Sequence, residues 1–416
     1  MSESGEALER PTRIVTRREA LLGSSLALAT GVAGTLSSSN SARATTNEQH
    51  SFHGVHQAGI TTKVQNYLSF ATFDVVTNDR RELARLLRGW SDAAASLVDA
   101  RPLPGTNIPS YPPSDTGETF DLGPAGLTVT FGFGPSLFDH RFGLHRLRPQ
   151  ALVELPRFPG DRLDPLRTGG DLCVQSCAED PMVAFHAVRN LTRLGEGVVS
   201  LRNIQFGSGP TSTSSQHEGT PRNLLGFKDG TNNLVGDDSA QMQEHVWVGK
   251  EGDQSWMRGG TYLVARRIRV ALEEWSSLSL NTQQGVIGRF RNSGAPLTGR
   301  HEHDSLDFNK LDVQRNPIIP VNAHARVASA TLNNGAVILR RGFNFADGVD
   351  TRTGELDAGL MFICFQRDVR TQFIALQNNL ATQDALSNYT VHTGSGVFAC
   401  PPGTGPGGWI GEGLLA

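Results

Sequence analysis

The chemically most informative segment of the chain covers residues 220–233 and reads Thr-Pro-Arg-Asn-Leu-Leu-Gly-Phe-Lys-Asp-Gly-Thr-Asn-Asn. Within it, Asp229 is followed by Gly230, a pair typical of a tight turn. An aspartate in such a turn can simply accept hydrogen bonds from its own backbone. The same carboxylate can also act as an acid–base group if a cavity lies beside it. From the residues alone, both interpretations stay open.

A second feature is the arginine pair Arg340-Arg341, which follows the apolar run 336–339. The run has strand character, so successive side chains point to opposite faces and only one of the two arginines can reach a given site. Periodicity does not choose between them. The chain also contains twelve histidines, and an ordinary core or surface position would account for each of them.

Several common catalytic signatures are missing from the sequence. It contains no G-x-S-x-G elbow, no H-E-x-x-H helix, no P-loop and no G-x-G-x-x-G that opens a helix after a strand. The four cysteines, Cys173, Cys177, Cys364 and Cys400, form no C-x-x-C framework for zinc, and buried free thiols are the preferred interpretation.

The 220–233 segment closely resembles the G-x-x-D-G motif of dye-decolourising peroxidases, with Gly226 and Asp229 at the motif positions. The resemblance covers nearly the whole chain after the first 44 residues, in order. The subgroup with the most similar pattern is the exported one related to the iron-uptake deferrochelatase/peroxidase. The other segments that carry the resemblance are 54–59, 127–130, 132–138, 170–187, 260–263, 293–296, 340–343, 364–368 and 389–394.

This resemblance implies a haem-dependent peroxidase with one b-type haem per chain. The haem would be bound without covalent attachment, because the chain has no C-x-x-C-H. The family pattern assigns His324 as the proximal iron ligand, Asp229 as the acid–base residue and Arg340 as the distal cation. It also places further residues around the haem, with a glycine where backbone and cofactor come close and an apolar distal wall: Gly230, Thr231, Asn232, Leu360 and Phe362.

A carboxylate should orient the ligating imidazole. Asp384 is one candidate, and Asp304 or Asp307 could serve instead. Two departures from the family pattern are visible. Asn203 stands where relatives often have a tryptophan, which puts a radical-transfer path there in doubt. The connection between His324 and Arg340 is shorter than in some relatives, which concerns the shape of the haem edge and not the ligand.

The resemblance implies the reduction of hydrogen peroxide with oxidation of dyes, phenols or other aromatic donors. The alternative is a deferrochelatase-type release of iron from haem during extracytoplasmic iron uptake, with iron-uptake components as partners. Both functions need the same pocket, so the motifs do not separate them. A haem carrier without turnover is the third interpretation, and the Asp229–Arg340 pair argues against it because a carrier needs neither group.

The strands and helices that must position these residues follow an order that predicts an α+β fold of two ferredoxin-like domains with antiparallel sheets. The haem is expected in the C-terminal domain. The predicted domains are 45–206 and 222–416, joined by a polar connection at 207–221. In the first, strands are predicted at 67–75, 127–133, 171–176 and 198–206, and helices at 78–98 and 181–194. In the second, strands are predicted at 261–269, 335–345 and 359–366, and helices at 272–288 and 371–388.

The first 44 residues read as a twin-arginine signal peptide. Arg17-Arg18 precede a short, mildly apolar run, and Ala42-Arg43-Ala44 fits the cleavage pattern of signal peptidase. The mature chain should then begin at Thr45 and be secreted or periplasmic. Such signals serve proteins that fold before export, and a cofactor inserted in the cytoplasm is a common reason for that.

The bulk composition excludes two classes of partner. The 416 residues carry a formal net charge of −3, which argues against binding to nucleic acids or to anionic membranes. Beyond the leader, the sequence contains no run of about 18 apolar residues, so no stable membrane insertion is expected. Composition leaves open whether the chain forms a homo-oligomer.

Overall fold

The computed structural model describes residues 48–105, 108–213, 219–351 and 353–416, so the predicted signal peptide lies outside the described residues. The chain from Thr45 to Ala416 forms one compact unit with an α+β fold. A helix with the length and apolar content that a bilayer crossing requires is not found among the described residues.

The first half contains four antiparallel strands and two long helices: β1 (Tyr67–Val75), α1 (Arg80–Val98), β2 (Thr128–Phe133), β3 (Leu172–Ala178), α2 (Pro181–Leu194) and β4 (Val199–Pro210). Asp79 caps α1 by accepting a hydrogen bond from the backbone N–H of Arg81, and Asp180 caps α2 through Met182. The apolar stripe of α1, including Leu83, Leu87 and Trp90, is buried in the core of this half. The strand order is β2-β3-β1-β4.

The described residues of the second half form five strands and six mostly short helices: α3 (Ser239–His245), β5 (Thr261–Val270), α4 (Leu272–Ser277), α5 (Leu280–Ile287), α6 (His324–Val327), β6 (Leu339–Arg340), β7 (Phe343–Val349), β8 (Leu356–Gln366), α7 (Phe373–Gln383), β9 (Thr390–Cys400) and α8 (Glu412–Leu415). The central strand pairs are β9–β5, β5–β8 and β8–β7, all antiparallel.

The strands of both halves belong to one nine-stranded sheet, whereas the sequence predicted a separate sheet for each half. Within the sheet, two short pairings between named strands join the halves: Phe133 of β2 pairs with Ala399 of β9, and the end of β4 pairs with the start of β7. Because β5 pairs with β8 as well as with β9, the ring of strands is closed. β4 itself continues to Pro210, four residues into the segment predicted as a connection.

The predicted elements agree closely with the structure in the first half and less well in the second. The strand at 67–75 and the helix at 181–194 are confirmed at both ends. The single helix predicted over 272–288 is wrong: α4 ends at Ser277, and Ser279 caps a new helix by accepting from the backbone N–H of Thr282. The strand predicted over 335–345 is likewise divided into β6 and β7.

The four cysteines are buried free thiols, which confirms the prediction from the sequence. Cys173 and Cys177 lie on a strand, β3, where residues four apart share a face but are too distant to bond. Burial raises the pKa of the Cys173 thiol well above its usual value, so this thiol stays protonated and unreactive at neutral pH.

A buried ion pair attaches the first half to β5. Arg266 of β5 donates to the carboxylate of Asp161, and both side chains are almost completely buried. Burial by itself opposes ionisation of Asp161, but its contacts with His392 and Arg266 outweigh this and lower its pKa. Burial and the neighbouring Arg266 lower the pKa of His392, so at neutral pH its ring is an uncharged member of the group.

Replacing Asp161 with alanine should reduce the free energy of unfolding by about 3–5 kcal/mol, because it leaves the Arg266 charge buried without a counter-ion. The contribution of the pair is complete above the pKa of an unfolded aspartate and is lost as the pH falls through the lowered pKa of Asp161. Denaturant unfolding at neutral pH measures the loss. The exposed pair Arg101–Asp99 provides the control, since Asp99→Ala should cost less than about 1 kcal/mol. Equal effects of the two substitutions would contradict the assignment.

Candidate functional site

The predicted site residues come together around one large cavity in the second half of the chain. The loop 223–232, β8, α6, the start of α7 and the end of β6 all contribute to its walls. Every residue that lines the cavity lies between Asn223 and His392. The eight residues predicted from the sequence are all among them: Asp229, Gly230, Thr231, Asn232, His324, Arg340, Leu360 and Phe362.

His324 is the first residue of the short helix α6, and its imidazole is oriented by Asp384. The ring Nδ1 and Asp384 Oδ2 are 2.6 Å apart, and the second carboxylate oxygen accepts a hydrogen bond from the backbone N–H of Leu386. The Asp384 side chain is only 4% exposed, whereas the His324 side chain is 37% exposed and borders the cavity. Within the described part of the chain, His324 Nε2 has no hydrogen-bond partner, which leaves it available to a metal ion.

Asp384 is therefore the one of three candidate carboxylates that contacts His324. Asp304 instead accepts hydrogen bonds from the backbone N–H groups of Arg300 and His301. Asp307 accepts from the backbone of Asn309 in the same loop. Both alternative carboxylates are thus used within their own loop.

The electrostatics of His324 favour a proton on Nδ1. Burial alone would lower the pKa of the ring, but the charge and hydrogen bond of Asp384 outweigh it and raise that pKa. Asp229 raises it further, and Arg340 lowers it. Because a metal ion needs the lone pair of Nε2, metal binding at this ring must displace any proton held there while Asp384 retains the proton on Nδ1.

Asp229 and Arg340 form an ion pair at the cavity. Arg340 Nη1 donates to Asp229 Oδ1 at 2.5 Å, and Asn223 Nδ2 donates to Asp229 Oδ2 at 3.2 Å. The two charged side chains are 15% and 26% exposed, so the pair is shielded but reachable from the cavity. Asn233 fixes the strand that carries the arginine, because its amide bonds both the N–H and the C=O of Arg340.

The structure separates the two arginines that the sequence left undecided. Arg340 faces the cavity, whereas Arg341 is buried on the opposite side of the strand. There the Arg341 guanidinium donates to the backbone carbonyls of Thr62 and Lys63 and to the side chain of Gln65. Of these two arginines, Arg340 is the one placed to act on a ligand in the cavity.

Gly230 lines the cavity and also lies close to another part of the chain. Its φ is +103°, a region that favours glycine, and a Cβ atom built there would lie 3.0 Å from Ser212 Cα. The glycine thus permits close contact with the chain at Ser212, and its predicted closeness to the cofactor stays a prediction. Beside it, Thr231 Oγ1 donates to Glu302 at 2.9 Å, and Asn232 is exposed.

The apolar wall comes from β8 and α7. Leu360 and Phe362 alternate with the buried Met361 and Ile363, so the former pair faces the cavity. The ring of Phe362 lies 6.2 Å from that of Phe373 at the start of α7. This apolar wall faces a cavity that also contains a free imidazole nitrogen and a carboxylate–guanidinium pair.

Three contacts at this site were not predicted from the sequence. Asn223 bonds Asp229, Asn233 bonds Arg340, and Lys228 forms an ion pair with Glu302 beside the motif. Asn223 and Lys228 belong to the motif segment itself, so their closeness to Asp229 in the sequence could have indicated that they contribute to the site. Glu302 is 74 residues from Lys228, and nothing in the sequence pointed to that pair.

The donor set fits an iron porphyrin. A single carboxylate-oriented imidazole can ligate the iron through Nε2, and the apolar wall suits a porphyrin face. No cluster of three or more histidine, cysteine, aspartate or glutamate side chains suited to a bare metal ion occurs among the described residues. The cavity therefore suits a metal that brings its own equatorial ligands.

Comparison with known proteins agrees with this chemistry. Residues 57–207 match the family model "Dyp-type peroxidase, N-terminal", and residues 220–405 match "Dyp-type peroxidase, C-terminal". A protein named deferrochelatase from Escherichia coli K12 is 36% identical over 362 residues, which cover 86% of this chain and 85% of that protein.

Two similar solved structures extend the match to three dimensions. The oxyferrous complex of DtpA from Streptomyces lividans is 41% identical, covers 89% of this chain and 98% of its own, and superimposes with a TM-score of 0.82. A DyP-type peroxidase from Cellulomonas bogoriensis is 38% identical with a TM-score of 0.80, over 89% of this chain and 98% of its own. The chain thus belongs to the Dyp-type peroxidase family and is a haem-dependent oxidoreductase that acts on peroxide.

Proposed function

We propose that the cavity binds one b-type haem through His324 and that the protein reduces hydrogen peroxide there while it oxidises dyes, phenols or other aromatic donors. The observation that carries this proposal is the Asp229–Arg340 pair in the same cavity as the Asp384-oriented imidazole. Haem binding alone would require the imidazole and apolar walls, but not a proton acceptor joined to a fixed cation.

Each residue has a defined task in this proposal. Haem held by His324 would supply the redox chemistry that the reduction of peroxide requires. Asp229 accepts a proton from the peroxide and returns it to the oxygen that leaves. Arg340 stabilises the negative charge that develops as the O–O bond breaks, and its bond to Asp229 Oδ1 aligns the two groups. Asp384 keeps the proton on Nδ1 of His324, which makes Nε2 a stronger electron donor.

A second function, the release of iron from haem with an intact porphyrin ring, is supported by the name of the Escherichia coli relative, deferrochelatase. The same cavity would serve it, with haem as the substrate. Iron-uptake components would then be the partners that receive the metal. The two functions differ in their products, which makes them separable by experiment.

A parallel assay of the purified holoprotein distinguishes them. One sample receives peroxide and an aromatic dye, and the other receives excess haem and a reductant without peroxide. We expect rapid dye oxidation in the first and no iron-free porphyrin in the second. Free haem at the same concentration is the control for uncatalysed dye loss. Porphyrin release with dye oxidation no faster than the free-haem control would support the deferrochelatase function and exclude the peroxidase.

The protein is proposed to act outside the cytoplasmic membrane after export by the twin-arginine pathway, with Thr45 as its first mature residue. The pattern Arg17-Arg18 followed by Ala42-Arg43-Ala44 supports this. Replacing both arginines with lysine should keep the precursor inside the cell, which fractionation and N-terminal sequencing of the product would show. Normal export of the double variant would refute the pathway.

The two halves are further proposed to be ferredoxin-like domains, residues 45–206 and 222–416, joined at 207–221 and with the haem in the second. The strand order β2-β3-β1-β4 supports this for the first half, because it is that of a split β-α-β sheet. The order β9-β5-β8-β7 in the second half is equivalent. The lining of the cavity, which comes only from the second half, supports the location of the haem.

A further inference from the structure

The two oxygens of the Asp229 carboxylate have different partners. Oδ1 accepts a short, charge-assisted hydrogen bond from Arg340 Nη1, at 2.5 Å. Oδ2 accepts a longer bond, at 3.2 Å, from the neutral side-chain amide of Asn223. A hydrogen bond from a guanidinium is stronger than one from a neutral amide. Protonation of Oδ1 would therefore weaken a stronger hydrogen bond than protonation of Oδ2 would.

The direction of the Asn223 amide is determined by the turn that contains it. Its Oδ1 accepts from the backbone N–H groups of Leu225 and Phe227, at 3.1 and 3.4 Å. The backbone N–H of Asn223 also donates to the carbonyl of Phe227. Since the amide oxygen is occupied by these N–H groups, the NH₂ group must point to Asp229.

The turn is attached to a buried aromatic cluster. Leu225 and Phe227 are 6% and 2% exposed, and the Phe227 ring packs against Trp275 at 6.1 Å. The indole N–H of Trp275 donates to the carbonyl of Leu225 at 3.1 Å. These contacts hold the Asn223 amide in place independently of any ligand in the cavity.

The charged groups near Asp229 have partners other than its Oδ2 oxygen, which is bonded by Asn223. Lys228, the preceding residue, is neutralised by an ion pair with Glu302. Arg289 borders the cavity, but its guanidinium donates to the backbone carbonyls of Gly294 and Glu302. Of the remaining ionisable groups, His324 interacts with Asp229 only electrostatically across the cavity, and Arg340 occupies Oδ1.

We propose that Asn223 is a positioning residue that orients the Asp229 carboxylate and assigns its two oxygens, so that Oδ2 exchanges protons with the substrate while Oδ1 stays bonded to Arg340. The hydrogen bond from the Asn223 amide favours the ionised carboxylate, yet it is weak enough to break when Oδ2 takes a proton. This inference rests on the proposed function, in which Asp229 is the proton acceptor.

The decisive variant is Asn223→Ser. A serine hydroxyl can still accept from the backbone two residues on, so the turn is preserved, but it is too short to reach Asp229. Without the hydrogen bond from the Asn223 amide, the ionised form of Asp229 is less favoured. The rate of the peroxide reaction should fall at low pH, where Asp229 takes a proton, and this acid limb of the pH profile should move to higher pH by about half to one unit. On that limb the rate should fall by about three- to tenfold. The rate on the alkaline plateau should change much less.

A second measurement does not depend on turnover. Infrared difference spectra of the resting holoprotein follow the protonated carboxyl band against pH, and Asp229→Asn identifies the band of Asp229. The midpoint of this band should shift upwards in Asn223→Ser by the same half to one unit. The exposed Asn292 provides a matched control, and Asn292→Ser should leave both the midpoint and the rate profile unchanged.

Asn223→Asp provides a test if the serine variant does not fold. It keeps an oxygen for the N–H groups of Leu225 and Phe227, loses the donor and adds a negative charge, so a larger shift in the same direction is expected. A wild-type midpoint and acid limb in whichever of the two variants folds would overturn the proposal. If the wild-type protein showed no peroxidase turnover, the proposed function would fail. The infrared midpoints would still report on the Asn223 contact separately.

Discussion

Peroxide consumption in a single turnover should slow by ~10² to 10³ when Arg340 is replaced by leucine, while haem remains bound. The Arg340 side chain is only 26% exposed, its guanidinium is aligned by Asp229, and its backbone is held by the amide of Asn233, so its charge acts in a shielded site. A fixed cation in such a site contributes mainly to the transition state, in which negative charge develops on the leaving oxygen. Stopped-flow mixing with one equivalent of peroxide measures the rate.

Asp229→Asn should slow the same step by a comparable factor and should also remove the acid limb of its pH profile. A carboxylate shuttle stays ionised further into acid than a histidine does, given reference pKa values of about 4 and about 6.5. Turnover in the wild type should therefore be best at mildly acidic pH. The exposed Arg300 provides the control, and Arg300→Leu should behave as wild type. Wild-type rates for both site variants across the pH range would show that the distal assignment is wrong.

His324→Ala should abolish the histidine-ligated ferric haem spectrum, because Nε2 of this ring is the proposed bond from protein to iron. Asp384→Asn gives a graded version of the same test. It preserves the shape of the side chain but removes the negative charge that raises the pKa of His324, and haem affinity should fall by roughly 10- to 100-fold.

Absorption spectra and haem transfer to a stronger binder measure the two effects. Asp304→Asn, which alters a carboxylate that bonds only its own loop, should leave the spectrum and the affinity unchanged. An unchanged spectrum in His324→Ala would mean that the ligand lies elsewhere.

The sequence predicted the local elements well where a strong periodic pattern coincided with a cap. The helix at 181–194 has an aspartate cap, a proline at its first position and a buried apolar stripe, and both of its ends are confirmed. The predicted helix over 272–288 had apolar periodicity too, but α4 ends at Ser277 and Ser279 caps a new helix. The joining of both halves into one sheet depends on a few long-range strand pairs that leave no local signal.

The sequence predicted residues that share one cavity, but few of the contacts between them. The resemblance supplied eight residues that the fold brings to one cavity. The sequence did not identify Asp384, among the three candidate carboxylates, as the partner of His324. The two residues are 60 positions apart in the chain, and only the fold brings them together. The role of Asn223 was hidden for another reason: the direction of its amide depends on which backbone N–H groups the turn presents.

The buried pair of Arg266 and Asp161 has a consequence for how the holoprotein can be produced. Arg266 belongs to the cavity wall, yet its counter-ion comes from the other half of the chain. A fragment that begins after residue 206 would contain every residue that lines the cavity, but it would bury an uncompensated guanidinium and lack β2 as the neighbour of β9. We therefore expect haem capture to require the complete polypeptide, because the second half alone would leave the Arg266 charge without Asp161.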